Sequence, residues 1–245
     1  MKIISLSMSA LFCTALAGHA LATPVALQSA TATFSQSSSA DFSVGHAIDG
    51  IINDNLGWAI QGSVGNQTAA FQTVQNVGFN GGSIFTFSLI QDGQWYVPDT
   101  LGRFRISITT DDRSQFADGL ANGGDVTANW TVLHPTIYTS ANGTTLSALS
   151  DGSILASGYL PATDTYTIVA PTTLTGITGV RLEAITDPSL PYNGPGRSSD
   201  GGNFILSEFQ VSIAPVPEPA GCSIIMGGLV LFLASRKNLR LRDEI

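Results

Sequence analysis

Aromatic side chains in turn-like segments are the residues of this sequence best suited to binding a ligand. Trp95 and Tyr96 are adjacent in QDGQWYVPD, which opens with an Asp-Gly turn signal. Tyr192 and Arg197 lie in a second loop, PYNGPGRSSDGGN, which is rich in proline and glycine. Aromatic rings stack on the faces of sugar rings, and nearby polar or charged groups bind the hydroxyls. These four residues are therefore candidates for binding a carbohydrate, although the second loop could also simply cross the surface.

The other two tryptophans favour the interior. Trp130 alternates with Val132 in ANWTVL, and Trp58 follows a polar loop at the start of an apolar run. We expect the Trp130 ring to pack in the core rather than to face a ligand.

Residues with a catalytic pattern are few. Only His46 and His134 lie between residues 23 and 213, with no metal-binding spacing, and no Gly-x-Ser-x-Gly turn is present. A glycosidase needs two carboxylates, and Asp111 and Asp112 are the best pair by position. Adjacent residues of a strand point to opposite faces, so this pair would share a cleft only if a turn redirected one of them. We therefore predict a protein that is not an enzyme.

The segments that must position these residues have the alternation of β-strands. In SIFTFSLIQ, the side chains of Phe85, Phe87 and Leu89 fall on one face. GRFRISITT and GVRLEAIT repeat the pattern, and FILSEFQVSI is predicted to be one strand with Ile205 and Phe209 on the same face. Gly, Asp and Asn turn signals separate the runs, and no amphipathic helix of ten or more residues occurs between them. We predict an all-β, jelly-roll-like antiparallel β-sandwich.

This sandwich is expected to span residues 23–213 as one domain. A polar, glycine-rich segment, DDRSQFADGLANGGD, separates two halves of comparable length. A boundary near residues 114–125, between two packed domains, is therefore the alternative.

The N-terminus has the pattern of a signal peptide. Lys2 precedes a mostly apolar stretch, and Ala20-Leu21-Ala22 fits the small-x-small sequence after which a signal peptidase cuts. We predict that residues 1–22 are removed and that the chain is exported.

The C-terminus has an uncharged run, residues 220–234, that a basic tail follows at once. Fifteen helical residues are about 22 Å long, shorter than the ~30 Å hydrocarbon core, but local thinning and snorkelling allow such a segment to span. Positively charged flanks stay in the cytoplasm. We predict a transmembrane helix with the domain outside and the tail, residues 236–242, inside; its basic residues are Arg236, Lys237, Arg240 and Arg242.

Val216-Pro217-Glu218-Pro219 stands directly before the apolar run. With the run and the basic tail, this motif makes residues 214–242 resemble the bacterial PEP-CTERM sorting signal. The resemblance implies recognition of Pro-Glu-Pro by a membrane-embedded exosortase, which cleaves nearby and releases or re-attaches the protein. It implies a location in the cell envelope or outside the cell, and it is silent on the chemistry of the exported domain.

Charge and cysteine content exclude several classes of partner and cofactor. Residues 23–213 contain fifteen acidic residues, five arginines and no lysine. Such a surface repels nucleic acid and anionic lipid, so we expect no nucleic-acid partner. Both cysteines, Cys13 and Cys222, lie outside this region, so we expect no disulfide and no c-type haem within it. No nucleotide cofactor is expected either.

The segment HAIDGIINDNLGWAI, together with the strand NFILSEFQV, resembles the discoidin or coagulation-factor C-type (galactose-binding-like) jelly roll. In that family an Asp-Gly turn and a glutamate on the last strand often hold a structural calcium ion. The resemblance implies that Asp49 and Glu208 bind calcium and that Asn53 and Asp54 add oxygen ligands. The resemblance also implies that Trp58, the tryptophan after the loop, packs in the core. Leu56 departs from the family, which usually has Thr or Ser two residues before this tryptophan. The alternative is that Asp49 caps a turn and Glu208 is solvated.

Longer phrases resemble segments of large secreted planctomycete proteins; they include LGRFRISITTD, GVRLEAITDPSLPYNGPGR and GNFILSEFQV. Those proteins combine c-type haem modules with a β region that is generally regarded as accessory and carbohydrate-binding. The haem motif is absent from this sequence, so the resemblance implies a binding module without electron transfer.

Three functions follow from these patterns. The first is an exported, non-catalytic module that binds extracellular polysaccharide, and it is favoured because PEP-CTERM proteins usually belong to bacteria that make exopolysaccharide. The second is a structural or adhesive matrix protein without a defined ligand. The third is a polysaccharide hydrolase.

Overall fold

β-Strands dominate the computed structural model, which describes residues 21–36, 42–52, 54–93 and 98–217. In chain order the strands are β1 (Thr23–Pro24), β2 (Leu27–Ala32), β3 (Trp58–Ile60), β4 (Gln67–Val77), β5 (Ser83–Gln91), β6 (Arg103–Thr109), β7 (Thr131–Val132), β8 (Ile137–Ser140), β9 (Thr145–Ala148), β10 (Ile154–Ser157), β11 (Asp164–Thr172), β12 (Ile177–Ala184), β13 (Phe204–Leu206) and β14 (Glu208–Pro215). Short 3-10 turns occur at Val44–Ile48, Gly62–Val64, Arg113–Gln115 and Pro191–Asn193.

Both predicted targeting segments fall largely outside this description. Residues 1–20 of the signal peptide and residues 218–242 of the sorting segment lie outside the described residues. Within the described ranges, no helix has the length and apolar character needed to cross a membrane.

The strands form two large antiparallel sheets and a small ribbon. One sheet has the order β1-β14-β5-β11-β8, and the second has the order β2-β4-β12-β6-β10-β9, with β7 paired to β6. The ribbon is β13 paired with β3. The prediction of an all-β antiparallel sandwich is therefore confirmed.

Aromatic side chains join the two large sheets. Burial alternates along the whole of β5, with Phe85, Phe87 and Leu89 facing inward as predicted. Phe87 stacks on Phe209 with ring centroids 5.9 Å apart, and Phe209 contacts Phe71 of the opposite sheet at 5.4 Å. Rings of this size dominate the energetics of a core, so this contact couples the two sheets.

The prediction that FILSEFQVSI is one strand is wrong, because this segment forms two strands. Ser207 separates β13 from β14, and it is fully buried. Its N–H donates to Ile90 O at 2.9 Å, and its Oγ accepts the Asp92 N–H at 3.1 Å. Ile205 consequently packs with Phe42 and Ala59 in a small separate cluster, whereas β14 continues in the five-stranded sheet.

The polar segment 111–125 is a loop that packs on the outer face of the seven-stranded sheet. Phe116 is buried against Ala70, and Gln72 Nε2 donates to the Phe116 carbonyl oxygen at 3.0 Å. Residues 21–216 group as one compact unit. Trp130 packs edge-on against Phe116 at 5.4 Å, so its ring covers this outer cluster and is not part of the sandwich core that was predicted for it.

β5 and β14 define two ends of the sandwich that matter below. We call the end where β5 finishes at Gln91 and β14 begins at Glu208 the upper end. We call the end where Ser83 pairs with Pro215 the lower end.

Gly179 leaves room for the Phe116 ring, which makes this contact testable. A Cβ at Gly179 would lie 2.5 Å from two carbons of that ring. We expect Gly179→Ala to lower the free energy of unfolding by about 1–3 kcal/mol because the ring must move. The measurement is urea unfolding, with Gly45→Ala as control, since the nearest atom there is 3.7 Å away. Equal effects of the two substitutions would contradict the role of the loop contact.

Candidate functional site

A polar pocket of about 340 Å³ lies at the upper end. One wall is β13, which pairs with β3 and carries Phe204 and Ile205. Asp99 is held against this wall because its carbonyl oxygen accepts the Ile205 N–H at 3.0 Å. The polar residues of the lining are Gln36, Asp99, Ser198, Ser199, Asp200 and Asn203.

Close backbone contacts fix the loop that precedes β13 and forms the other wall. Asn203 Oδ1 accepts the Gly62 N–H at 3.0 Å, and Ser198 Oγ accepts the Asp200 N–H at 3.2 Å. A Cβ at Gly196 would lie 1.9 Å from the Asn203 carbonyl oxygen. Only glycine allows this approach, so the loop conformation and the position of Asn203 depend on it.

The pocket has an acidic character. Burial raises the pKa of the Asp99 carboxyl; a hydrogen bond from Ser198 opposes this, and the negative charge of Asp200 adds to it. Among the described lining residues there is no lysine, arginine or histidine. Carboxylate, amide and hydroxyl groups together can accept and donate hydrogen bonds to a ligand rich in hydroxyls.

A second polar group forms at the same end from the segment between β2 and β3. His46 Nδ1 lies 2.8 Å from Asp49 Oδ2, and one ligand atom each of His46, Asp49 and Asp54 lie within 4.8 Å of one another. Asp49 Oδ1 also accepts the Ile51 N–H at 2.8 Å, and Asp54 Oδ1 accepts the Leu56 N–H at 3.0 Å. Both aspartates therefore cap local turns, as the alternative to metal binding supposed.

Glu208 reaches this group from β14. Its Oε2 accepts the Gly50 N–H at 3.2 Å, and the side chain is 5% exposed, so the predicted alternative of a solvated glutamate does not describe it. Burial raises the pKa of the Glu208 carboxyl to about 7; the hydrogen bond from Gly50 opposes this shift, and the charge of Asp49 adds to it. A cation beside Asp49 and Glu208 would favour the ionised form of these two carboxylates.

These residues fit a calcium ion in part. The carboxylates of Asp49 and Asp54 lie in one cluster with His46, and calcium takes oxygen ligands of this kind. Glu208 is not a member of that cluster and is linked to it through the Gly50 N–H. Asn53 lies outside the described residues. His46, which the sequence reasoning missed, is an imidazole, a ligand type that suits zinc and other transition metals better. In the sequence, the only signal for a metal-binding role of His46 is its position three residues before Asp49.

The aromatic residues singled out in the sequence differ in exposure, and two of them lie outside the described residues. Trp95 and Tyr96 lie outside the described residues, which resume at Pro98. Tyr192 is 70% exposed and adopts a positive φ of 54°. Trp58 is fully buried, as expected, and its Nε1 donates to the Phe34 carbonyl oxygen at 2.9 Å.

Arg197 points inward and is 6% exposed. Its guanidinium donates to Thr144 Oγ1 and to the carbonyl oxygens of Gly158 and Tyr159, each at 3.0 Å. The side chain thus ties the loop before β13 to the β10–β11 connection. This position supports one wall of the pocket and does not suit direct contact with a ligand.

The remaining charged candidates are engaged in local contacts. The Asp111 carboxylate accepts the Asn129 N–H at 2.7 Å, and Asp112 Oδ1 accepts the Ser114 N–H at 2.8 Å. On the outer face of the seven-stranded sheet, Glu183 pairs with Arg105 at 2.7 Å and with Arg181 at 3.1 Å. Both strand arginines are therefore held in ion pairs with Glu183.

Comparison with known proteins gives only distant structural likenesses. No family model matches the chain, and no curated protein matches it. Fifteen chains of solved structures match. Chitosan-binding module 1 of a chitosanase/glucanase from Paenibacillus sp. IK-5 is 16% identical, with 76% of this chain and 95% of that chain covered and a TM-score of 0.41. An F5/8 type C domain from Bacteroides fragilis is 12% identical, with coverage of 78% and 95% and a TM-score of 0.45. The family 32 carbohydrate-binding module of Streptococcus pneumoniae EndoD is 9% identical, with coverage of 77% and 98% and a TM-score of 0.42.

The raised pKa of Glu208 predicts a pH dependence of stability. Because the folded state binds this proton more tightly than the unfolded chain, stability falls as pH rises from about 4.5 through about 7. Glu208→Gln keeps an acceptor for the Gly50 N–H but removes the charge. We expect it to flatten this part of the profile, by up to about 3 kcal/mol between pH 4.5 and 8.

The measurement is urea unfolding in the presence of a chelator at several pH values. Asp118→Asn removes the same charge from an exposed loop and is the matched control. Parallel profiles for the wild type and Glu208→Gln would contradict the assignment.

Proposed function

We propose that the described domain is a non-catalytic carbohydrate-binding module of an exported protein. The polar pocket at the upper end carries the proposal. It combines two carboxylates, two amides and several hydroxyls, and its volume of about 340 Å³ lies at the small end of the ~300–1,000 Å³ typical of ligand pockets. Such a lining suits hydrogen bonding to the hydroxyls of a sugar.

The predicted stacking residues are close to this pocket in the sequence. Pro98 and Asp99 line the pocket, and Tyr96 is three residues before Asp99 in the sequence. We therefore assign the stacking role to Trp95 and Tyr96, with exposed Tyr192 as a further contact and Arg197 as a support of the pocket wall.

The proposed module binds carbohydrate without hydrolysing it. Hydrolysis is measured as well, because the pocket contains two carboxyl groups. A glycosidase needs one protonated and one ionised carboxyl on either side of the bond. Two carboxyls, those of Asp99 and Asp200, line the pocket, and burial raises the pKa of the Asp99 carboxyl. Release of sugar ends is therefore assayed together with binding, and it would replace the module by a hydrolase.

Calcium at the upper end is a second part of the proposal. Asp49, Asn53, Asp54 and Glu208 would hold the ion, and its charge would offset the repulsion between Asp49 and Glu208. The contact of Glu208 with the Gly50 N–H supports this part, because it fixes a carboxylate of the last strand beside the Asp49 turn. The role would be structural, tying the segment before β3 to β14.

Export and sorting complete the proposal. The signal peptide 1–22, the Val216-Pro217-Glu218-Pro219 motif and the run 220–234 support delivery to the cell envelope or beyond by an exosortase-type enzyme. Val216 follows β14 directly, so the motif begins where the folded domain ends. Extracellular polysaccharide is the partner that this location makes accessible.

The glycan proposal predicts a defined loss of binding. Residues 23–217 are screened on a polysaccharide array, because β14 runs to Pro215, past the predicted domain end at 213. We expect Trp95→Ala and Tyr96→Ala to weaken binding about tenfold each, equivalent to about 1.4 kcal/mol of lost stacking. Tyr159→Ala, at a tyrosine that is 67% exposed in another loop, is the control. A folded protein that binds no glycan would favour the structural or adhesive function.

The calcium proposal predicts a ligand-dependent stability. Calcium in excess should raise the unfolding midpoint, because the ion binds the folded state only. We expect Asp49→Asn and Glu208→Gln to lose this shift, and Asp118→Asn to keep it. The shift should also be larger at pH 8 than at pH 5.5, since protons compete at a carboxyl whose pKa is about 7. An unchanged midpoint in calcium at both pH values would contradict the site.

A further inference from the structure

The lower end of the sandwich carries an apolar groove of about 620 Å³. Its lining comes from the β4–β5 turn, from β7 and the residues after it, from the β11–β12 connection and from the residue that follows β14. The residues that matter here are Gly82, Val132, His134, Leu174 and Val216. Among the described residues that line it there is no Asp, Glu, Lys or Arg.

This lack of charge is unusual for the molecule. Residues 23–213 hold fifteen acidic residues, and the polar pocket at the opposite end is acidic. The nearest carboxylate along the chain is that of Glu218, two residues beyond Val216. Asp151, whose neighbour Gly152 packs near Val132 and His134, is paired with Arg103 at 2.9 Å. The described lining of the groove itself therefore carries no carboxylate that a membrane surface would repel.

An exposed phenylalanine extends the groove. Phe79 is 37% exposed in the β4–β5 turn, and its carbonyl oxygen accepts the Gly82 N–H at 3.1 Å. Val216 is 39% exposed, and its N–H donates to the Gly82 carbonyl oxygen at 3.1 Å. Gly82, which lines the groove, thus joins the turn that carries Phe79 to Val216, so two exposed apolar residues are bonded through their backbones to the same lining residue.

The chain leaves the domain at this surface. Ala220, the first residue of the uncharged run, is four residues beyond Val216 in the sequence. Four residues span at most ~14 Å, whereas the headgroup region of each leaflet is about 5–8 Å thick. If the run 220–234 enters a bilayer, as the proposed sorting and anchoring suppose, the groove cannot lie far from the headgroups.

We infer that the groove and Phe79 form a surface that rests on the phospholipid bilayer while the protein is anchored by its tail. The partner is the interface of a lipid bilayer, bound through apolar contact and not through charge. β14 rises from Pro215 to Glu208, about 23 Å at ~3.3 Å per residue, so the polar pocket is presented away from the lipid. This inference rests on the proposed membrane insertion of the C-terminal run.

The test uses the exported form with its tail, residues 23–245, reconstituted in phosphatidylcholine vesicles that carry an acyl-chain spin label. Cys222→Ser leaves no cysteine in this form, so one probe site can be added. A fluorophore is attached at Phe79→Cys in one variant and at Tyr159→Cys in the other. Tyr159 lies in the connection that leads into β11, whose first residue pairs with Gln91 at the upper end.

We expect the spin label to quench most of the fluorescence at position 79 and little of that at position 159, with equal unfolding midpoints for the two proteins. Flotation with the vesicles but no quenching at position 79 would overturn the lipid-facing surface and leave the anchor intact. Failure to float with the vesicles would overturn the proposed membrane insertion and the inference with it.

Discussion

One buried serine decides how the last part of the chain is used. Ser207 donates its N–H to Ile90 and accepts the Asp92 N–H through its side chain, so the chain changes from β13 to β14 at a fixed point beside the end of β5. Buried polar groups must be hydrogen-bonded, and this pair of bonds satisfies the backbone at the switch. On one side Ile205 holds Asp99 in the polar pocket, and on the other Glu208 meets the Asp49 turn. Both candidate sites therefore depend on the same residue.

A buried polar chain stabilises the pocket wall. Arg197 donates to Thr144, and the Thr144 hydroxyl donates in turn to Asp164 Oδ2 at 2.6 Å. Asp164 is 2% exposed, and its carboxylate also accepts a hydrogen bond from Ser140 Oγ at 2.6 Å. The Thr144 hydroxyl therefore connects the buried carboxylate of Asp164 to the buried guanidinium of Arg197. Buried charges are costly unless they are paired and hydrogen-bonded, and networks of this kind favour a single arrangement. The loop before β13 gains its rigidity in this way, which prepares the pocket for a ligand without large rearrangement.

The two ends of the sandwich differ in chemistry. The upper end collects Asp49, Asp99, Asp200 and Glu208, and two of these carboxyls have a raised pKa because burial and neighbouring charge oppose ionisation. The lower end presents an uncharged groove beside the point where the chain leaves the domain. The antiparallel pairing of β5 with β14 separates the two ends by the length of a strand. A domain built this way can be tethered at one end while it binds at the other.

Local pattern alone determined which faces of the strands are buried. The alternation in β5, β6 and β12 is a period of two, and a buried face requires it whatever the partner strand is. The resemblance to the galactose-binding-like fold correctly implied that Trp58 is a core residue. The charge and cysteine content of residues 23–213 predict that this region has no nucleic-acid partner, disulfide or c-type haem.

Only the tertiary structure decided what lies beside what, because those contacts join residues far apart in the sequence. Gly50 and Glu208 are 158 residues apart, Asp92 and Ser207 are 115 apart, and Arg197 and Thr144 are 53 apart. Periodicity carries no information about such partners, so it predicted one strand through Ser207 and a core Trp130. Loop composition carries none either, and it predicted a ligand-facing Arg197. It also missed His46, whose place beside Asp49 and Asp54 is set by the turns that those aspartates cap. The alternation of side chains along a strand is a property of the local sequence, whereas a site is a property of the packing.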